Sequence, residues 1–100
     1  MDYKLILSSE AVKELQESYQ WYEGRSEGLG GRFVELIDKA IKLIVLNPEG
    51  YPNKIGLYRE IVLTKFPYLI VYEFIKEKRI IYVLHVFNTK RNPTVKYETK

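Results

Sequence analysis

The side chains able to do chemistry are few and unevenly placed. The sequence of 100 residues has no cysteine and a single histidine, His85, which excludes a disulfide framework, a thiolate nucleophile and a Cys-ligated metal. No cofactor is expected. What remains is basic and phenolic: Arg59, Lys65, Lys90, Arg91 and Tyr97, all in the second half. Metal-free cleavage of RNA needs a group to take the 2′-hydroxyl proton, a group to protonate the leaving oxygen, and cations against the crowded phosphorane charge. These five residues could do that only by converging on one face of a sheet.

Charge divides the chain in the same place. Residues 1–50 hold six Lys/Arg against nine Asp/Glu, and residues 51–100 hold ten against four. A basic half favours polyanions or an acidic protein partner, although a net +3 is small for binding nucleic acid by charge alone. The acids Glu10, Glu14, Glu17, Glu23 and Glu27 make no paired-carboxylate or metal-ligand pattern and read as the solvated side of helices. Gly28-x-Gly30-Gly31 lacks the lysine and the preceding strand of a phosphate loop. Tyr58, Tyr68, Tyr72 and Tyr82 read as half-buried strand residues rather than stacking platforms for bases. Trp21 falls off the main apolar face of its helix, beside Tyr22, and reads as an interface residue.

The elements that must position these groups follow from periodicity. Tyr3 to Leu7 is a short strand-like run, and Ser8-Ser9-Glu10 supplies a helix cap with an acid in the first turn. Ala11, Val12, Leu15, Tyr19 and Tyr22 then recur at helical spacing, with Gly24 as the expected stop. Ser26-Glu27 can cap a second helix, in which Leu29, Phe33, Leu36, Ile37, Ala40, Ile41 and Ile44 give the cleanest 3.6-residue pattern, ended by Asn47-Pro48. Gly30 and Gly31 lower intrinsic helicity near its start. Leu57–Leu63, Tyr68–Ile75 and Arg79–Phe87 read as three hairpin-connected strands, separated by Thr64-Lys65-Phe66-Pro67 and Lys76-Glu77-Lys78. The expected fold is α+β: a single domain over residues 1–100, of order β-α-α-β-β-β, its helical hairpin packed on a mostly antiparallel, twisted sheet. No stretch approaches the ~18 apolar residues of a membrane span, and a cytoplasmic protein with no membrane contact is the default.

Several segments, in this order, resemble the RelE/ParE superfamily of type II toxins: Gly28-Leu29-Gly30-Gly31-Arg32-Phe33, Asn47-Pro48, Leu57-Tyr58-Arg59, Phe66-Pro67-Tyr68-Leu69-Ile70-Val71-Tyr72, and Val86-Phe87-Asn88-Thr89-Lys90-Arg91-Asn92-Pro93. The resemblance spans about Ala11 to Pro93. It implies a small toxin held inactive by a cognate antitoxin that wraps it. One branch, RelE-like, cuts messenger RNA on the ribosome; the other, ParE-like, acts on DNA gyrase. The short hairpin, the Phe-Pro-Tyr segment and the closing Arg-Asn-Pro look more ParE-like, so gyrase is the expected target. The alternatives are the ribosome-dependent endonuclease and a degenerate member that binds antitoxin but poisons nothing.

By the same resemblance, Arg59 stands where the superfamily usually carries an arginine, and Arg91 lies in its closing motif. Either could be catalytic if the protein is an enzyme, and Trp21, Arg59, Lys65, Lys90, Arg91 and Tyr97 are the candidates for contacting target, antitoxin or a second copy. Arg59 suits equally a structural salt bridge with a helix acid. Asn88 departs from the pattern: the superfamily commonly has a histidine there, and an amide exchanges no proton near neutrality. Alternation along the last strand puts His85 on a face with Val83 and Phe87, opposite Leu84, Val86 and Asn88, so it is read as a packed strand histidine rather than a substitute.

Overall fold

The structure, a computed structural model, describes residues 3–90; Arg91 and Tyr97 therefore lie outside the described residues. β1 (Lys4–Leu7) leads directly into α1 (Ser9–Arg25), α2 (Leu29–Leu46) follows, and β2 (Asn53–Ile55), β3 (Tyr58–Val62), β4 (Tyr68–Ile75) and β5 (Ile80–Asn88) complete the chain. The five strands form one sheet in the order β1-β5-β4-β3-β2. β1 runs parallel to β5 and every other pairing is antiparallel. This is the expected two-layer α+β domain with one strand more than expected. β2 went unseen because its three residues are all exposed and include no buried face to pattern; Gly56, at φ 56°, makes the tight turn into β3 in the left-handed region that glycine adopts most readily.

Both helices lie on one side of the sheet. Phe33, Ile37, Ala40 and Ile44 of α2 and Ala11 of α1 pack on Tyr68, Ile70, Tyr72, Ile81, Val83 and Val86, the stripe that the 3.6-residue spacing of α2 requires. Phe33, Phe66 and Tyr68 cluster about Tyr22, with ring centroids 4.9 to 6.2 Å from its own. Val12 and Tyr19, placed on the same face of α1 by spacing, are 40% exposed, so that face is only partly covered. On the far side of the sheet Leu69, Val71, Leu84 and Phe87 form a second buried cluster, with Tyr58 and Tyr82 against it.

The hairpin between the helices departs from expectation at both caps. α1 runs through Gly24 to Arg25, and Ser26 closes it by donating its N–H to the Tyr22 carbonyl. α2 is capped not by Ser26-Glu27 but by Gly28 in the left-handed region, φ 87°. Glu23 reaches across from α1: its Oε2 accepts the Gly28 N–H at 2.9 Å and its Oε1 the Gly30 N–H at 3.0 Å. A carboxylate thus takes the amides that a helix N-terminus leaves orphaned, where the helix dipole also favours negative charge. Glu23 is a clamp of the hairpin rather than part of its solvated side.

Gly30 has a steric role beyond its low helicity. A Cβ there would lie 2.7 Å from the Tyr19 carbonyl oxygen and 2.8 Å from the Tyr19 ring, whereas a Cβ at Gly31 would meet nothing within 4 Å. Gly30→Ala should therefore cost about 1–3 kcal/mol by overpacking the helix crossing, and Gly31→Ala should gain up to about 1 kcal/mol from helix propensity. Urea denaturation of the two variants checks this; equal stabilities would show that the helices do not approach so closely.

Candidate functional site

α1 is fixed to the sheet at its beginning. Ser8 caps it, its Oγ accepting the Ala11 N–H at 2.9 Å and donating to the Leu84 carbonyl. β1 ends at Leu7, opposite Val83, so among the described residues the edge of β5 beyond that point has no neighbouring strand. One helical turn further on, Glu14 turns onto that edge. Its Oε1 accepts the Val86 N–H at 2.9 Å, and its Oε2 lies 3.0 Å from His85 Nδ1. Both side chains are nearly covered, at 11% and 6% exposure. A carboxylate so buried is tolerable only because it is bonded on both oxygens. Glu14 is therefore not a solvated helix acid, contrary to its reading from sequence.

His85 also departs from the simple alternation. Tyr72 pairs with Val83 and Val71 with His85, so β5 carries one extra residue, Leu84, and this bulge reverses the sense of everything after it. Val83 belongs to the helix-side core while Phe87 belongs to the far-side cluster; His85 cannot share a face with both. Its packed character stands, with 5% exposure, but its ring meets Glu14 at the sheet edge.

Beyond Glu14 a groove opens between α1 and the end of β5, with a volume of about 540 Å³. The helix side offers Glu17, Ser18, Trp21 and Arg25; the sheet side offers Tyr68, Val86, Asn88 and Lys90. Ser18 Oγ and the Tyr68 hydroxyl are 2.8 Å apart at its base, and burial beside Tyr68 pushes the Tyr22 hydroxyl above its ordinary value. Trp21 is 56% exposed, crosses Tyr22 edge-on at 5.0 Å, and carries the Arg25 guanidinium over its ring at 4.4 Å. A rigid aromatic with a stacked cation is the kind of group that anchors a protein interface. Sequence reasoning singled out Trp21, Asn88 and Lys90; it missed Ser18 and Arg25. The signal was present, since Glu14, Ser18, Trp21 and Arg25 fall at steps of four, three and four and so form one stripe along the helix.

Arg59 is elsewhere and otherwise occupied. Its Nη1 donates to the carbonyls of Tyr51 and Glu49, the latter at 3.2 Å, pinning the loop between α2 and β2 rather than pairing with a helix acid. Arg59 stands opposite Tyr72, and Asn88 opposite Tyr68. That is roughly 13 Å along the strands and about 10 Å across two of them. Lys65 is exposed in the turn between β3 and β4, at the Lys90 end of the sheet, where Pro67 accepts the Thr89 N–H. The structure thus brings Trp21, Lys90 and, in the adjoining turn, Lys65 to one end, and sets Arg59 apart. Among the described residues no group of three His, Cys, Asp or Glu could hold a metal ion.

The family model for the ParE toxin of the type II toxin–antitoxin system parDE matches residues 5–93. The chain belongs to this family. Among solved structures it is similar to the toxin in the intact E. coli RelBE toxin–antitoxin complex, with 22% identity and TM-score 0.69 over 90% of this chain and 100% of that one. It is likewise similar to a chain of the chromosomal ParDE system from P. aeruginosa, with 20% identity and TM-score 0.69 over 86% and 95%. The isolated E. coli RelE toxin gives 23% identity and TM-score 0.68 over 93% and 90%. At such identities the ParE-family chain shares the fold with both kinds of toxin. No curated protein matches its sequence.

The loop that Arg59 pins has a titratable reporter. The Tyr72 hydroxyl, fully buried, donates to the Pro48 carbonyl at 2.7 Å, and its pKa is pushed up to about 12 from the ordinary 10.0, chiefly by burial, with Arg59 opposing and Tyr51 adding to the rise. Because the folded value exceeds the unfolded one, the contribution of this group is fully present below pH 10.0 and is lost as pH rises toward about 12. The urea midpoint should therefore fall across that window, and Tyr72→Phe should lower stability at neutral pH while flattening the alkaline fall. An alkaline limb unchanged in the variant would remove Tyr72 from the account.

Proposed function

We propose that this ParE-family chain is the toxin of a type II toxin–antitoxin pair in the cytoplasm, that a cognate protein antitoxin holds it inactive, and that it acts by binding DNA gyrase rather than by cutting RNA. The family match over residues 5–93 supports the toxin assignment. Similar toxins are seen with antitoxins, in E. coli RelBE and P. aeruginosa ParDE, which supports a protein antitoxin here. Among the described residues no helix is long and apolar enough to cross a membrane.

One observation carries the choice of target: Arg59 stands apart from the cations at the Lys90 end of the sheet. A phosphorane needs positive charge gathered within hydrogen-bond reach of one phosphate, with a proton-transfer group beside it. Arg59 spends its guanidinium on two carbonyls at the far end of the sheet, Asn88 presents an amide to the groove, and the His85 ring is held against Glu14. The groove instead offers Trp21 and Arg25, groups that serve binding.

Expression without antitoxin tests this. Gyrase poisoning should raise DNA-damage signalling and filamentation with messenger RNA intact; fresh cuts within translated codons, lost when translation is arrested, would put the nuclease first. Arg91→Ala should relieve growth arrest at a stability cost within about 0.5 kcal/mol, whereas His85→Gln, checked for folding and antitoxin binding, should leave toxicity in place. The reverse pattern would make His85 the proton-transfer group and favour RNA cleavage.

A further inference from the structure

α2 carries a second apolar line beside its core stripe. Leu29, Leu36 and Leu43 recur every seven residues and Leu46 follows, the spacing by which one helix meets another. Leu43 and Leu46 are 50% and 80% exposed. Counting about 100° per residue from the buried Ile37, Val34 falls about 60° to one side, and Leu36 and Leu43 fall about 100° and 120° to the other. Val34 lines a cleft with Leu15 and Tyr19 of α1, so the leucine line turns away from α1. α2 lies over β4, where Phe33 packs on Tyr68 at 4.8 Å, and α1 is bonded to β5; the strand on the leucine side is therefore β3. That strand is incompletely covered. β2 pairs with it only at Tyr58 and Arg59. The Leu63 N–H bonds the Tyr68 carbonyl, so by antiparallel alternation Val62 turns its own N–H and carbonyl outward, and its side chain is 65% exposed. An edge strand is ordinarily blunted by charge or proline; this position presents valine. The two features stand level. α2 runs from the contact of Phe33 with Tyr68 to Pro48, whose carbonyl accepts the Tyr72 hydroxyl, so its middle lies over Leu69 and Ile70, the partners of Val62 and Ile61.

We propose that these surfaces meet their own copies: two chains associate about a two-fold axis, with α2 antiparallel to α2 along the leucine line and β3 beside β3 at Val62. A two-fold axis makes each patch its own complement, and a Val62 on the axis can exchange both main-chain bonds with the second copy. Overlap of the whole helix sets Leu29 opposite the second copy's Leu46. Leu36 and Leu43 then meet the stems of Lys39 and Arg32, which cover apolar surface while their heads reach water. Charge selects a second copy as the occupant. Glu35 borders the line, and antiparallel overlap brings it level with the span between Lys39 and Lys42 of the other chain, once on each side of the axis. Lys42 is held in its own chain by Asp38 at 3.0 Å, so in the pair it has an acid on either side. The proposal is independent of the antitoxin reading, because the groove beside α1 belongs to the other edge of the sheet and stays open in the pair.

Sedimentation velocity on the purified full chain should show a shift with concentration, in the micromolar range, from 11.9 kDa to twice that mass. Leu43→Glu with Leu46→Glu changes side chains that are already exposed, so it should leave the urea midpoint nearly unchanged and the chain monomeric. Val62→Lys should weaken association as well, since a charge blunts a strand edge. Charge reversal tests the antiparallel pairing. Glu35→Lys alone, and Lys39→Glu with Lys42→Glu, should each raise the dimer dissociation constant about tenfold. An equimolar mixture of these two variants should pair again, because each copy then offers the charge that the other lacks. A chain monomeric throughout, or a dimer indifferent to the leucine changes, overturns the proposal, and so do charge variants that stay apart when mixed. A monomeric chain whose leucine variant loses affinity for the protein of the neighbouring reading frame assigns the line to that partner and overturns it too. If the leucine variant loses helix by circular dichroism, the mixing experiment decides alone.

Discussion

The carboxylate of Glu14 is the contact on which the geometry of this molecule turns. β1 and β5 part company at Leu7 and Val83, and from there, among the described residues, no strand pairs with β5 on that side. Main-chain groups at such an edge must be satisfied or solvated. Ser8 and Glu14 meet the first of them, at Leu84 and Val86, so that a helix stands in for a strand over three residues of β5. The substitution fixes α1 in depth and direction against the sheet. Everything further along α1, including Ser18, Trp21 and Arg25, inherits its place over the end of β5 from that pair of bonds.

The helical hairpin is held by a parallel device at its other end. Glu23 closes the start of α2 from the last turn of α1, and Gly30 lets the Tyr19 backbone approach where any side chain would collide. Two acids of one helix thus hold its two neighbours, the sheet and α2, at spots where amides would otherwise be unpaired. The aromatic cluster of Tyr22, Phe33, Phe66 and Tyr68 fills the space between. It lies under the groove and gives Trp21 a rigid base.

What could be read from sequence is what local periodicity controls. The apolar stripe of α2, the β-rich second half and the two-layer arrangement all follow from steps of 3.6 and of two residues, and these held. The misread features have long-range causes. Glu14 and Glu23 look like solvated acids until partners 71 and seven residues away are known. The bulge at Leu84 has no signature of its own in Val83-Leu84-His85-Val86, yet it decides which face each later residue of β5 takes. Arg59 shows the same limit: its type fits both a functional cation and a loop anchor, and only the carbonyls of Glu49 and Tyr51 tell which contacts it makes.

The split of charge along the sequence also changes meaning once the chain is folded. A basic second half invites a polyanion, but the acids of α1 are laid across the end of that half, so Glu14 and Glu17 line the same groove as Arg25 and Lys90. The field there is dipolar rather than uniformly positive. A phosphate backbone, with like charges at every step, gains little from such a pattern, because each acid offsets a cation. A polypeptide can match it residue by residue, and opposed charges then fix orientation and register more than they add affinity. The arrangement of α1 that Glu14 imposes is thus what turns a basic sequence into a surface suited to a protein partner.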